Sequence, residues 1–391
     1  MPGVSGGAEG SANLLIRGGT PDQTLILMDG VPIYNPTHLY GFFSAFNPDA
    51  VNNVELVKSG FPARYGGRLS GVTDITLREG NVNKFSGQAT VGLLSSRLML
   101  EGPIFKGKTS FLVSGRVSYL ALMKGLLAEK VGNASLDGYK FHDINAKINH
   151  RINAADRIYA SVYTGSDQMT SRYTSETIDS LGGGKLEHST GTSRDKMGWS
   201  NLLASFRWNH ELSSTGFFNV TAYMSSYSLL IENDDASHTV TEPDGASTDT
   251  FNQYKWQSKI RDFGVKVDFD YIPNPKHYIR YGLAGIRHDF TPGVAATRSS
   301  DSEVTPPAAN SSSSTFEQIA YVEDDINVNS KVKANVGLHA VSYSATGKIY
   351  KGLQPRGSIR YSLPGNVALK ASYSYMQQFL QTLTNAGLGF P

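Results

Sequence analysis

The chain has 391 residues, a formal net charge of +2 and no cysteine. Near-neutral charge implies no polyanionic partner such as nucleic acid, and the lack of cysteine excludes disulfides, thiol catalysis and cysteine-ligated metals. No run of about 18 apolar residues occurs, so no helix of this chain is suited to span a bilayer. Forty glycines and twenty tyrosines suit an all-β chain rich in turns and interfacial aromatics. The opening MPGVSGGAEG has neither a basic nor an apolar leader region.

In chain order, residues 1–84 come first and read as a small mixed unit. Strands are expected at Leu14–Arg17, Thr24–Asp29, Val54–Lys58 and Val72–Leu77. They are separated by a Gly-Gly turn, an Asp29-Gly30 turn and a glycine-rich loop through Gly66–Gly67.

Beyond residue 84 the sequence alternates with a period of two, the strand signature. In 262–271, Phe263, Val265, Val267, Phe269 and Tyr271 oppose Asp262, Lys266, Asp268 and Asp270. In 331–340, Val332, Ala334, Val336, Leu338 and Ala340 oppose Lys331, Lys333, Asn335 and His339. Thirteen such strands are expected, from 85–92 to 366–377, with a short glycine-broken helix candidate at 121–131. Most reach the 9–11 residues, or about that, which cross a bilayer. The connections sort by parity. KGK (106–108), NAAD (153–156), SSTG (213–216), PNPK (273–276), the break at Ser330 and PGN (364–366) are short. Those at 121–140, 168–196, 233–252, 291–315 and 344–352 are long and polar, with 299–315 expected to be disordered. Short turns on one side and long loops on the other mark an outer-membrane barrel. A cation on the lipid side at mid-membrane costs about 2–4 kcal/mol, so the apolar faces are expected to meet acyl chains and the charged faces a wet lumen. Ile158, Ala160 and Val162 then face lipid, with Tyr159 and Tyr163 luminal.

The set IRGG (16–19), LILMDGVPIYNP (25–36) and VNNVELVKSGFPARYGGRLSGVTDIT (51–76) resembles the plug domain of TonB-dependent outer-membrane receptors, motif by motif and in order. Ser59-Gly60-Phe61-Pro62 and Thr73-Asp74-Ile75 depart from the commoner forms. HLYGFFSAFN (38–47) is similar to the branch that often carries a carboxypeptidase-regulatory-like domain ahead of the plug.

The resemblance implies an all-β transmembrane barrel of 22 antiparallel strands, about thirteen of them here. A partial small α/β plug (1–84) precedes the N-terminal part of the barrel (85–391). It implies a receptor in the outer membrane of a Gram-negative cell. Such a receptor binds a siderophore, cobalamin, oligosaccharide or peptide and imports it with TonB-transmitted energy. The implied partners are outer-membrane lipid, TonB, whose contact segment is not in this sequence, the nutrient ligand and an accessory surface lipoprotein. The missing leader, TonB segment and later strands lead to the expectation of an internal fragment, unable to insert and close alone because open edges in lipid are costly.

No enzyme, metal or cofactor signature is found. GGGK (182–185) lacks phosphate-loop spacing, the nine histidines form no H-E-x-x-H pair, and Glu323-Asp324-Asp325 reads as a solvated cluster more readily than a cation site. Ligand contact is expected at the plug segment 33–46, through Tyr34, His38, Tyr40, Phe42, Phe43 and Phe46, since exposed aromatics suit sugar or chelate recognition. The alternative is that Phe42, Phe43 and Phe46 pack the plug against the barrel. Two other functional classes compete: a passive porin, against which the plug motifs argue, and a soluble or surface-attached β-rich binding protein.

Overall fold

The computed structural model describes residues 4–5, 15–120, 134–300, 302–305, 312–365 and 367–381. It begins with a strand pair, β1 (Val4–Ser5) with β2 (Leu15–Ile16). A four-stranded sheet follows, formed by β3 (Thr24–Met28), β4 (Val31–Pro32), β7 (Val51–Val57) and β8 (Gly71–Leu77) in the order β4-β3-β8-β7. Between them, β5 (Thr37–His38) and β6 (Phe43–Ser44) make a miniature hairpin. Asp29 and Gly30 both take positive φ, 50° and 79°, which builds the primed turn that joins β3 to β4. Two three-residue 3-10 turns, Pro21–Gln23 and Leu39–Gly41, lie among these strands.

The second sheet is antiparallel. Its thirteen-strand path runs in chain order through β9 (Ser86–Val91), β10 (Ser95–Phe105), β11 (Thr109–Ser118), β12 (Ala134–Arg151), β13 (Asp156–Gly182), β14 (Lys185–Ser213), β15 (Gly216–Glu242), β16 (Ala246–Asn274) and β17 (His277–Ser299). The short β18 (Ser302–Thr305) pairs only with β17, and the path continues through β19 (Ser313–Asn327), β20 (Val332–Ala345), β21 (Lys348–Ser362) and β22 (Ala368–Ser374). The path ends at β9 and β22, which do not pair with each other. The expected number of alternating strands is therefore the observed one.

The long connections are corrected. Segments 168–196 and 233–252 are not loops but the ends of paired strands, which continue past the bilayer-spanning length to tight turns. β13 and β14 stay in register from Asp156↔His210 to Ser180↔Leu186 and shift once before the last pair, Gly182↔Lys185. Gly182, Gly183 and Gly184 all have positive φ (81°, 64° and 81°), so GGGK is a hairpin tip. Likewise 344–352 shrinks to a turn at Thr346-Gly347. Ser and Thr fit a ladder that is wetted on both faces, and this composition disguised the strands as loops. Residues 121–133 and 306–311, which include the helix candidate and the middle of the segment expected to be disordered, lie outside the described residues.

The wall is inside-out relative to a soluble sheet. On β12, Ile144 and Ile148 point outward while Asp143, Asn145, Lys147 and Asn149 are buried. On β13, Val162 is outward and Tyr163 buried; on β16, Phe263 and Val265 are outward and Asp262 buried. At the short-turn end a row of outward aromatics, Trp208, Phe218, Phe269 and Tyr281, packs ring to ring at 4.9–5.7 Å. That is where a barrel places its interfacial girdle. The charged inner faces do not meet a wet lumen at this level, as the alternation alone implied. The four-stranded unit occupies the concavity, and its core (Ile26, Met28, Val31, Ile33, Ile75, Leu77) is continuous with Met99, Leu112, Leu203 and Tyr223 of the wall.

Candidate functional site

The irregular stretch after β4 runs inside the wall, where a buried backbone carbonyl without a partner costs about 1–3 kcal/mol. The wall supplies the donors. The carbonyls of Gly30, Pro32, Asn35 and Thr37 accept in turn from Lys266 Nζ (2.5 Å), Ser225 Oγ (2.6 Å), Asn201 Nδ2 (2.7 Å) and Trp199 Nε1 (3.3 Å). On the opposite side, Arg356 donates to Pro62 O (2.7 Å) and to Tyr65 O, and His339 Nδ1 lies 2.8 Å from Ala63 O. The motif glycine Gly66 faces His339, and a side chain there would collide with the imidazole.

Ion pairs complete the seat. Arg64 Nη1 meets the buried Glu323 at 2.6 Å, and Glu323 also holds Arg280 at 3.1 Å. Lys147 Nζ meets Asp29 at 2.9 Å, and Arg78 meets Glu101 at 2.5 Å. The acidic run 323–325 is dispersed by strand alternation: Glu323 and Asp325 face inward toward Arg280, and Asp324 pairs with His277 on the other face.

The tip 33–46 lies toward the long-hairpin ends of the strands. His38, 2% exposed, is held between Asp143 (Nε2–Oδ1, 2.6 Å) and Asp167 (Nδ1–Oδ2, 2.5 Å) and stacks on Phe141 at 4.5 Å. Burial alone would push its pKa down, but the hydrogen bonds and charges of the two carboxylates hold it above its ordinary value. Arg116 pairs with Asp143 at 2.5 Å and donates to Ser44 O at 2.7 Å, which ties β6 into the same network. The next residue, Leu39, takes a left-handed φ of 49°, and its N–H donates to Tyr139 Oη and to Asp167 Oδ1 (3.2 Å). A non-glycine residue in that region is strained unless its surroundings enforce it. Tyr34 Oη donates to Asp262 at 2.5 Å; burial, then the charge of Asp262, pushes that phenol well above its usual range.

The six expected ligand-contact residues therefore divide. Tyr34 and His38 have their polar atoms committed to wall carboxylates. Phe43 is half-buried against Phe141 (5.7 Å), and Phe46 packs on the plug core. Phe42 is 60% exposed at the tip. The Tyr40 side chain lies outside the described residues. The sequence reading missed the wall partners: Tyr139, Phe141 and Trp199 form a buried aromatic cluster, with Met169, Met197, Tyr227 and Leu229 packed on it. Phe141, Trp199, Met197, Tyr227 and Leu229 lie on expected strands, where inward parity was their signal, whereas Tyr139 and Met169 fall in segments taken for loops.

Two family models match the chain. The TonB-dependent receptor plug domain covers residues 1–73, and the TonB-dependent receptor-like β-barrel covers residues 138–385. Among solved structures, Pseudomonas aeruginosa FpvA, bound to a heterologous pyoverdine with iron, is 12% identical with a TM-score of 0.51. That match covers 89% of this chain and 50% of FpvA, so the chain spans about half of that relative's length. The siderophore receptor PirA of P. aeruginosa is 13% identical over 96% of this chain and 90% of its own, with a TM-score of 0.33. At such identities the likeness is one of fold. The family-model match over the barrel strands, with the plug seated inside them, settles the assignment: the chain belongs to the TonB-dependent receptor family, whose members are transporters and not enzymes.

Proposed function

We propose that this chain supplies the plug (1–84) and the N-terminal part of the barrel (85–391) of an outer-membrane receptor. The receptor captures a siderophore-type nutrient above the plug tip and imports it with energy transmitted by TonB. The observation that carries the reading is the tip itself. Residues 34–46 rise between the wall strands at their outward ends, latched through His38 and Tyr34, with Phe42 presented at the surface and Phe43 packed on the buried cluster of Tyr139, Phe141 and Trp199. Such a floor offers apolar and aromatic contact ringed by polar groups, the composition of a ligand pocket. FpvA, of similar fold, holds a pyoverdine–iron complex, which favours a metal chelate over cobalamin, glycan or peptide. The latch also supplies what energy coupling needs, a seat held by polar contacts that a pull can exchange for water.

The test uses the full-length receptor in cells lacking their other receptors for ferric chelates. Phe42→Ala is expected to weaken ligand binding about ten-fold, of the order of one lost aromatic contact. Uptake is expected to stop when TonB is deleted. Uptake that persists without TonB, or binding unchanged by Phe42→Ala and by Phe43→Ala together, contradicts the proposal.

A further inference from the structure

Among the described residues, the lysine and arginine side chains that are buried are Arg116, Lys147 and Arg356. Two of them meet a carboxylate: Arg116 meets Asp143 at 2.5 Å and Lys147 meets Asp29 at 2.9 Å. Arg356, 4% exposed on the inner face of β21, has none within ion-pair distance among the described residues. The carboxylate in line with it, Glu323, stands two strands away across Gly337 and is already shared by Arg64 and Arg280. A buried charge without a counter-charge is among the most costly features a fold carries.

The hydrogen bonds around Arg356 show where a counter-charge would sit. Its Nη1 donates to Pro62 O and Tyr65 O of the plug, and its Nη2 donates to Gln354 Oε1 at 3.0 Å. Its Nε–H has no acceptor. The bond to Oε1 fixes the amide of Gln354, 1% exposed, so its Nε2 is a second buried donor without an acceptor. Ser374, in register with Arg356 on β22, carries a buried hydroxyl without a partner. Residues opposite each other on a ladder lie about 5 Å apart at Cβ, and residues two apart on a strand share a face. Three unused donors therefore meet on one patch of the inner wall. His339, beside Gln354 in register, is turned to the plug instead: its Nδ1 donates to Ala63 O and its Nε2 lies against Gly66.

Water would satisfy these donors but leave the guanidinium uncompensated, whereas an anion does both. The depth of burial restricts it to a small one. We propose that Arg356 Nε, Gln354 Nε2 and Ser374 Oγ bind a monovalent inorganic anion of the size of chloride. The same guanidinium holds the plug loop 60–66 through two of its carbonyls, so the anion is linked to plug seating. When that loop leaves, Arg356 loses its plug acceptors and opens to water, and the anion departs with them.

The experiment compares the full-length receptor in potassium chloride and in potassium gluconate, whose anion is too large for the patch. Ionic strength is held equal so that screening is the same in both. Hydrogen exchange over 60–66 is the readout. A site with an affinity of about 10 mM slows this exchange about ten-fold between 1 and 100 mM chloride. Gln354→Glu, which sets a carboxylate beside Arg356, is expected to exchange slowly in both salts. Crystals grown in bromide are expected to show an anomalous peak within hydrogen-bond reach of Arg356 Nε. Equal exchange of the native receptor in the two salts overturns the site, and this comparison needs no substitution. A water without anomalous signal at Arg356, or chloride dependence that persists in Gln354→Glu, overturns it as well.

Discussion

His38 of the plug places its Nε2 2.6 Å from Oδ1 of Asp143, a fully buried wall carboxylate, while its other ring nitrogen meets Asp167. The contact joins segments 105 residues apart in sequence and fixes the tip of the plug to the wall. Removing one partner of a buried charged pair costs about 3–5 kcal/mol, because the other charge is left uncompensated. His38→Ala is therefore expected to lower the stability of the seated plug by that order. Limited proteolysis and hydrogen exchange over 34–46 in the full-length receptor read this out, and unchanged protection of the segment contradicts it.

The same contact has a pH signature. The folded-state pKa of His38 is raised from 6.5, so its stabilising contribution is complete below about pH 6.5. It declines as the pH rises through the raised value. Exchange over 34–46 is expected to accelerate on the alkaline side beyond the intrinsic base catalysis of exchange, and His38→Ala should remove that excess. A tip that loosens on acidification instead would reverse the sign and refute the assignment of charge.

Glu323 supports two cations at once, Arg64 of the plug and Arg280 of the wall. Glu323→Ala is expected to destabilise the receptor by more than Arg64→Ala, since it takes a carboxylate from two half-buried cations and leaves Arg280 with Asp325 only, whereas Arg64→Ala leaves Glu323 paired with Arg280. Thermal unfolding of the two single variants and the double variant checks the order. Equal losses would mean that Arg280 does not share the carboxylate.

Gly66 and His339 test the plug seat sterically. A Cβ at Gly66 has no room beside the imidazole, so Gly66→Ala is expected to cost about 1–3 kcal/mol, the range for overpacking. His339→Ala should relieve most of that. Failure of the double variant to recover would place the strain elsewhere.

Much of this was legible in the sequence. The thirteen-strand path and the orientation of each face followed from period-two alternation, because only one environment accepts Phe263 and Val265 together while Asp262 and Lys266 point the other way. The Asp29-Gly30 turn followed from its residue types. What escaped has a common cause. The segments 168–196 and 233–252 pair as strands past the length that a bilayer crossing needs, without apolar alternation, so their Ser- and Thr-rich composition read as loop. The fate of the inner charges also escaped. Asp143, Asp262 and Glu323 carry the inward parity of lumen residues, but whether a lumen residue meets water or the plug depends on pairings more than a hundred residues distant, which no local pattern records. Tyr34 and His38 appear as free recognition groups in the sequence for the same reason.

The measurement that bears most directly on the account is the cost of a charge at Leu283, which is 63% exposed on the outward face at mid-belt. On a water-exposed surface, Leu283→Lys should change stability by no more than about 0.5 kcal/mol. Facing hydrocarbon, it should cost about 2–4 kcal/mol. Reversible unfolding of the full-length receptor from lipid vesicles, with and without the substitution, separates the two. A loss in the larger range is the predicted result, and an unchanged free energy would contradict the inside-out wall on which the plug and its latch depend.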